Sequence, residues 1–184
     1  MAQESQEVLI EPFETYVAPV GTAFPACSAT PAGEWKPVGK QGTDSYSEAG
    51  STVTMAQTTA QFTPAGSPRP RKVWRTEHTW MVAFEVADMT PETIALLMNN
   101  ASVTGGAEKK VSLAMGFQMH LFALLLKGPS PLNEGKFSQF EVASCYQTAN
   151  PAPKLAAKGG PAFLAVQFTA VEAEIGKWVE YCTE

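Results

Sequence analysis

The sequence predicts a mainly-β protein: a β-sandwich or partial barrel with one short flanking α-helix and a long projecting loop. Three observations carry this. Short runs of β-branched and aromatic residues recur along the chain, separated by Gly- and Pro-rich turn signals at fairly even spacing. The strongest of these runs alternate apolar and polar residues with a period of two, and the 3.6-residue period never dominates. Strands and helices also fail to alternate as βα units, which argues against a parallel α/β sheet. The 184 residues read as a single domain, 1–184, long enough to bury a sizeable core.

Residues 1–7 are polar and are expected to be a flexible arm. Residues 8–20 favour strand but contain Pro12 and Pro19, which lack the N–H a ladder needs, so an edge or interrupted strand is expected. Residues 21–33 are rich in Ala, Pro, Thr and Gly and read as a loop; WKPVG at 35–39 reads as a short strand. Thr79 to Val86 is the clearest strand: Trp80, Val82, Phe84 and Val86 share its core face. A helix over 90–100 follows. Thr90 is a good N-cap, Pro91 fits the first helical position, and Glu92 faces the positive end of the helix dipole. Ile94, Leu97 and Met98 form its apolar stripe, and Asn99 and Asn100 can end it.

Residues 102–110 read as a turn around Gly105 and Gly106. Residues 111–127 read as two strands or one bent strand, with a helix left open because the run LFALLL fits either period. Residues 128–135 are a turn. Strands are expected at 137–145, at 163–171 with Leu164, Val166 and Phe168 inward, and at 178–181. Residues 150–161, with three prolines, read as a loop.

One segment departs from this pattern. Residues 49–68 contain no charged side chain and are dominated by Ser, Thr, Gln and Ala. Arg69, Arg71 and Lys72 follow at once, interleaved with proline. The expectation is a long loop, 47–72, between better-defined strands. Loops this long are usually functional or mobile linkers. On the functional reading the segment orders against a neighbouring subunit, through Val53, Met55, Thr59, Phe62, Arg69, Arg71, Lys72 and Trp74. Trp and Arg are the residue types that dominate interfaces. Trp80 reads as core.

Composition points the same way. Charged residues are only 17% of the chain, against about a quarter in ordinary soluble proteins. Such a deficit fits a surface covered by self-assembly, or a monomer with a Ser/Thr/Gln-rich exterior. The net charge of −5 argues against a nucleic-acid grip and is compatible with a wall that nucleic acid slides past. Cys27, Cys145 and Cys182 are widely spaced and read as reduced thiols. The N-terminus lacks the basic and apolar regions of a secretory signal, and no run suits a membrane helix.

Catalytic patterns are missing from the sequence. His78 and His120 stand outside any metal-binding spacing, and no GxSxG, GxxxxGK[ST] or GxGxxG occurs. Glu172 and Glu174 would share a strand face, as a glycosidase pair does, but nothing else in the sequence marks a sugar cleft and a solvated strand edge accounts for them. The expectation is a non-enzymatic protein with no cofactor and no metal.

Several features then line up in order. TYVAPVGTAFPA stands at 15–26, followed by Trp35, Val38 and Gly39, then a long polar excursion closed by basic residues, then VAFEVADMTPETIALLMNN at 82–100. This series resembles the major tail protein, or tail tube protein, family of siphophages, over roughly residues 13–100. The resemblance implies a β-sandwich or partial barrel with a flanking helix. It implies hexameric rings that stack into a virion tail tube around the tape measure protein, with tail-end proteins as further partners. DNA would pass through the lumen without specific binding, and no membrane would be involved. Assembly would take place in the host cytoplasm. The long loop at 47–72 would reach a neighbouring subunit or ring. Two other readings stand beside it: a tail-end or head-decoration protein of similar fold, and a monomeric β-barrel holding a small ligand in an apolar pocket.

Overall fold

The computed structural model describes residues 13–39, 42–98, 103–111, 119–130, 135–148, 152–154, 162–172 and 179–184. The expected arm at 1–7, the start of the first strand, Asn99, Asn100, residues 112–118 and Glu174 lie outside the described residues. The described chain is mainly β. In order it runs β1 (Glu14–Pro19), β2 (Lys36–Pro37), a 3-10 turn (Gly42–Ser45), β3 (Thr52–Phe62), β4 (Lys72–Val86) and α1 (Pro91–Met98). There follow β5 (Val103–Thr104), β6 (Lys110–Val111), β7 (Phe122–Pro129), β8 (Phe137–Gln147), β9 (Ala152–Lys154), β10 (Phe163–Ala170) and β11 (Val179–Thr183).

Nine strands form one antiparallel sheet in the order β2-β1-β7-β8-β10-β4-β3, with β9 beside β10 and β11 beside β8. β5 and β6 form a separate small hairpin. Four of the strands share one interrupted ladder: β9 and β8 follow one another along β10, and β10 and β11 follow one another along β8. Residues 150–161 are therefore not loop throughout, since Ala152–Lys154 adds a strand on β10. The apolar run at 122–129 is strand, and the helix left open there does not form.

Alternation places the core. Val82, Phe84 and Val86 of β4, Leu164, Val166 and Phe168 of β10, and Phe122, Leu124 and Leu126 of β7 are all buried in it. Trp80 is half-buried and packs against the same cluster. On β8 a register shift opposite Phe122 and Leu124 lets Val142 and Cys145, three residues apart, both face inward. α1 lays Leu97, fully buried, against this core, with Ile94 and Leu96 beside it. Its start is capped as the sequence predicts: the Thr93 amide donates to Thr90 Oγ1 at 3.4 Å. Lys109 pairs with Glu92 and ties the helix to the turn just before Lys110.

β7 is buried on both faces, which is why its sequence does not alternate. Its second face carries Ala123 and Leu125, which pack with Ala18 and Trp35 in a smaller core closed by Tyr16 and Phe24. The loop at 20–35 covers that face. Trp35 Nε1 donates to Ala23 O at 3.0 Å, and the Trp35 and Phe24 rings lie 5.1 Å apart.

The sheet curls until Tyr46 joins its two sides. Tyr46 pairs through its backbone with Val86 on β4. Its hydroxyl accepts from the Thr15 amide of β1 at 2.9 Å and donates to Val38 O at 2.7 Å. Gly39, next to Val38, has φ 93° and touches Ser45 so closely that an added Cβ would lie 2.3 Å from the Ser45 Cβ. Tyr46→Phe should cost about 1–3 kcal/mol in urea unfolding, because it leaves the Thr15 N–H and Val38 carbonyl buried without a partner. Burial pushes the Tyr46 phenol from 10 up to about 12. The folded state therefore holds a proton that the unfolded chain has lost, so this contribution is full below pH 10 and falls as pH rises toward 12. Tyr46→Phe should flatten the alkaline fall in stability over that window.

The expected loop at 47–72 is largely strand. Residues 52–62 pair with β4 from Ala83 to Lys72, and the non-strand parts are 47–51 and 63–71. The element still projects, as a hairpin. Core-facing alternation identifies a half-buried strand. β3 is exposed along most of both faces, so that signal is absent.

Candidate assembly surface

β3 and the first half of β4 rise from the sheet as a two-stranded ribbon. Eleven residues of β3 at about 3.4 Å each make it roughly 35 Å long. β4 changes character along its length: Lys72 to Glu77 are exposed, and burial begins at His78. The ribbon's lower end is thus core and its upper end is surface.

Register divides the candidate residues between two faces. Val53 pairs with Val82 and Met55 with Trp80, so both sit on the core-side face of the ribbon, as does Thr59 opposite Arg75. Val53 packs against the core and is a supporting residue of the subunit. Ala60 pairs with Trp74 and Phe62 with Lys72, so Phe62 and Trp74 are diagonal neighbours on the other face. Arg69 and Arg71 lie in the exposed turn, and Arg71 N–H donates to Phe62 O at 2.9 Å, closing the hairpin. The tip therefore combines three cationic side chains with two aromatic rings.

The exposure of its apolar residues is the site's main feature. Phe62 is 56%, Val73 60%, Trp74 46% and Met55 39% exposed. These four large apolar side chains occupy one ribbon, whereas singly scattered ones would call for no explanation. Exposed Val73 is a residue the sequence reading did not single out. Being a half-step from Trp74, it lies on the opposite face, so both faces of the ribbon tip carry apolar surface.

Among the described residues β3 is the terminal strand of the sheet, with no strand on its outer edge. Such an edge is a template for another strand. It carries no charged residue to discourage pairing, only Thr, Gln, Ala, Val, Met and Phe. A bulge at Thr58/Thr59 leaves Thr76 without a cross-strand partner, and its hydroxyl donates to Thr58 O at 3.1 Å. Arg75 Nε donates to Gln57 Oε1 at 3.0 Å, which stiffens the same region. A shallow cleft of about 310 Å³ runs from the foot of β3 across the outer face, lined by small residues such as Thr52, Ala83 and Ala165.

Acidic groups gather elsewhere. Glu141 on β8 and Glu180 on β11 are directly opposite one another. Burial, and then the Glu180 charge, push the Glu141 carboxyl above its ordinary range, against the opposing effect of the Gln139 amide bonded to it at 2.6 Å. Like charges facing each other across a ladder are destabilising.

A second cleft, of about 420 Å³, lies between α1 and the ends of β1 and β7. Leu96, Leu121 and Phe122 line it together with Glu34, Lys36 and His120. His78 sits in β4 opposite Gln57. Among the described residues no group of three or more His, Cys, Asp or Glu side chains is placed to hold a metal ion. Among the same residues no helix is long and apolar enough to cross a membrane. No protein-family model matches the chain, and no curated protein matches it either.

Proposed function

We propose that the protein is a structural subunit that assembles with copies of itself, of the kind the siphophage tail tube family exemplifies: rings of six that stack into a virion tail tube. The observation that carries this reading is the β3–β4 ribbon, a projecting, uncharged edge strand flanked by exposed Met55, Phe62, Val73 and Trp74. A monomer would expose this edge and these side chains to unprogrammed association. A neighbour that pairs with the edge satisfies its backbone groups and covers its apolar surface, and repetition around a ring or along a stack follows from heterologous contacts.

Charge supports the same arrangement. Arg69, Arg71 and Lys72 at the tip suit an acidic patch on another copy, and the opposed Glu141 and Glu180 gain from an added cation. The acidic net charge suits a lumen that DNA traverses without sticking. In this reading the tape measure protein and tail-end proteins are the further partners, no cofactor is needed, and the chemistry is assembly rather than catalysis. A monomeric ligand-binding barrel fits less well. The cleft beside α1 has three ionisable side chains, Glu34, Lys36 and His120, among its lining, which suits a small apolar ligand poorly.

Negative-stain electron microscopy over a concentration series, with light scattering on the same samples, tests the proposal. Rings or hollow tubes whose abundance grows with concentration are the expected result. A monodisperse monomer at every concentration, also in the presence of preformed tail ends, would sink it.

A further inference from the structure

A row of three side chains crosses the outer face of the sheet where the loop at 20–35 lies over it. Lys127 of β7 pairs with Gln139 of β8, and Gln139 pairs with Cys182 of β11. Cross-strand partners share a face, so all three point toward the loop. Two of them hold it. Lys127 Nζ donates to Ala29 O, and Gln139 Nε2 donates to Pro25 O at 2.7 Å. Cys27 lies between these two anchored residues. It is buried, and the pinning at Pro25 and Ala29 holds it over the row that ends in Cys182, which is exposed and close enough for the two thiols to influence each other's titration. Two cysteines 155 positions apart in sequence are thus brought together by a loop pinned on both sides of one and a ladder that orients the other.

We propose that Cys27 and Cys182 form a reversible dithiol–disulfide site, open in a reducing medium and closed by low-molecular-weight disulfides of the glutathione class. The exposed Cys182 thiolate attacks the small disulfide, RSSR, forming a mixed disulfide and expelling RS⁻. Cys27 then gives its proton to solvent and attacks the Cys182 sulfur, and the second RS⁻ leaves. The two thiolates released take up protons. In sum, two protein thiols are oxidised to one disulfide while RSSR is reduced to two RSH. The closed site staples the loop over the second core to the final strand, at the point where Lys127 and Gln139 already hold it.

The slow step is the attack by Cys27. Burial, then the contact with Cys182 and the nearby Glu141 and Glu184 carboxylates, push its thiol up to about 12. Closure should therefore quicken as pH rises. Cys145 is an internal control: it is buried in the main core, where its thiol donates to Phe122 O at 3.3 Å. The site stands independently of the assembly reading.

The test is oxidation of the reduced protein with excess oxidised glutathione at mildly alkaline pH, followed by thiol titration in denaturant and peptide mapping. Wild type should fall from three free thiols to one, with a peptide linking Cys27 to Cys182 and no dimer on a non-reducing gel. Cys145→Ser should fall from two to none. Cys182→Ser, a change at an exposed position, should form no intramolecular disulfide. Persistence of all three thiols, a glutathione adduct on Cys182 that never resolves, or a linked peptide containing Cys145 would each overturn the proposal.

Discussion

The double variant Phe62→Ser/Trp74→Ser is expected to fold as the wild type does and to lose self-association. The two rings are diagonal neighbours on one face of the ribbon and are about half exposed, so neither holds the subunit together. Surface changes of this kind usually alter stability by no more than about 0.5 kcal/mol. In an interface the same rings would be anchors. Aromatic hot spots contribute about 2 kcal/mol or more each when truncated. Two of them together should raise the concentration needed for assembly on the order of 10²–10³-fold, given about 1.4 kcal/mol per tenfold. The measurement is light scattering against concentration, with urea unfolding of the same samples as a control on fold. Assembly at the wild-type concentration, with the fold intact, would remove the ribbon tip from the interface. A collapse in unfolding stability would instead show that the rings serve the subunit.

Phe168→Ala is expected to do the opposite. Phe168 is fully buried on β10, where it pairs with Gln147 of β8 on one side and Val82 of β4 on the other. Its ring lies 5.1 Å from Phe122 of β7 and 5.7 Å from Phe84 of β4. One side chain thus joins three strands that are distant in sequence. Removing it leaves a cavity that rigid strands cannot collapse, at a cost of about 3–5 kcal/mol. That is a large share of the 5–15 kcal/mol typical of a whole domain, so roughly a fifth of the stability or more should vanish. Urea unfolding with matched slopes would check it. A loss under about 1 kcal/mol would mean that the core around Phe122 and Phe84 does not close on Phe168 as described.

Much of the fold was legible because the period of burial is written locally. In β4 and β10 one face is core, so Val82, Phe84 and Val86, and Leu164, Val166 and Phe168, stand at every second position. The start of α1 was legible because capping is decided by Thr90 and its next three residues. Where both faces share one environment the pattern fails. β7 has core on both sides, so its run of Leu fits a helix as well as a strand. β3 is exposed on both sides, so its Thr, Gln and Ala read as loop. Of the candidate surface, the chemistry was legible and the geometry was not. Met55, Phe62 and Trp74 are exposed on the ribbon, while Val53 belongs to the subunit's own packing and Val73 was overlooked.

By itself, then, the sequence determined the class of fold, the core faces of the best strands, the helix start and the low charge of the projecting segment. Each of these depends on neighbours within a few positions, where sterics and hydrophobic period act directly. Only the tertiary structure decided that 52–62 is the terminal strand among the described residues, that Tyr46 joins β1 to β4, and that the loop carrying Cys27 is pinned over the row ending in Cys182. These depend on which distant strands pair and in what register. Register is set by the burial of the whole sheet at once, so no local run of residues encodes it.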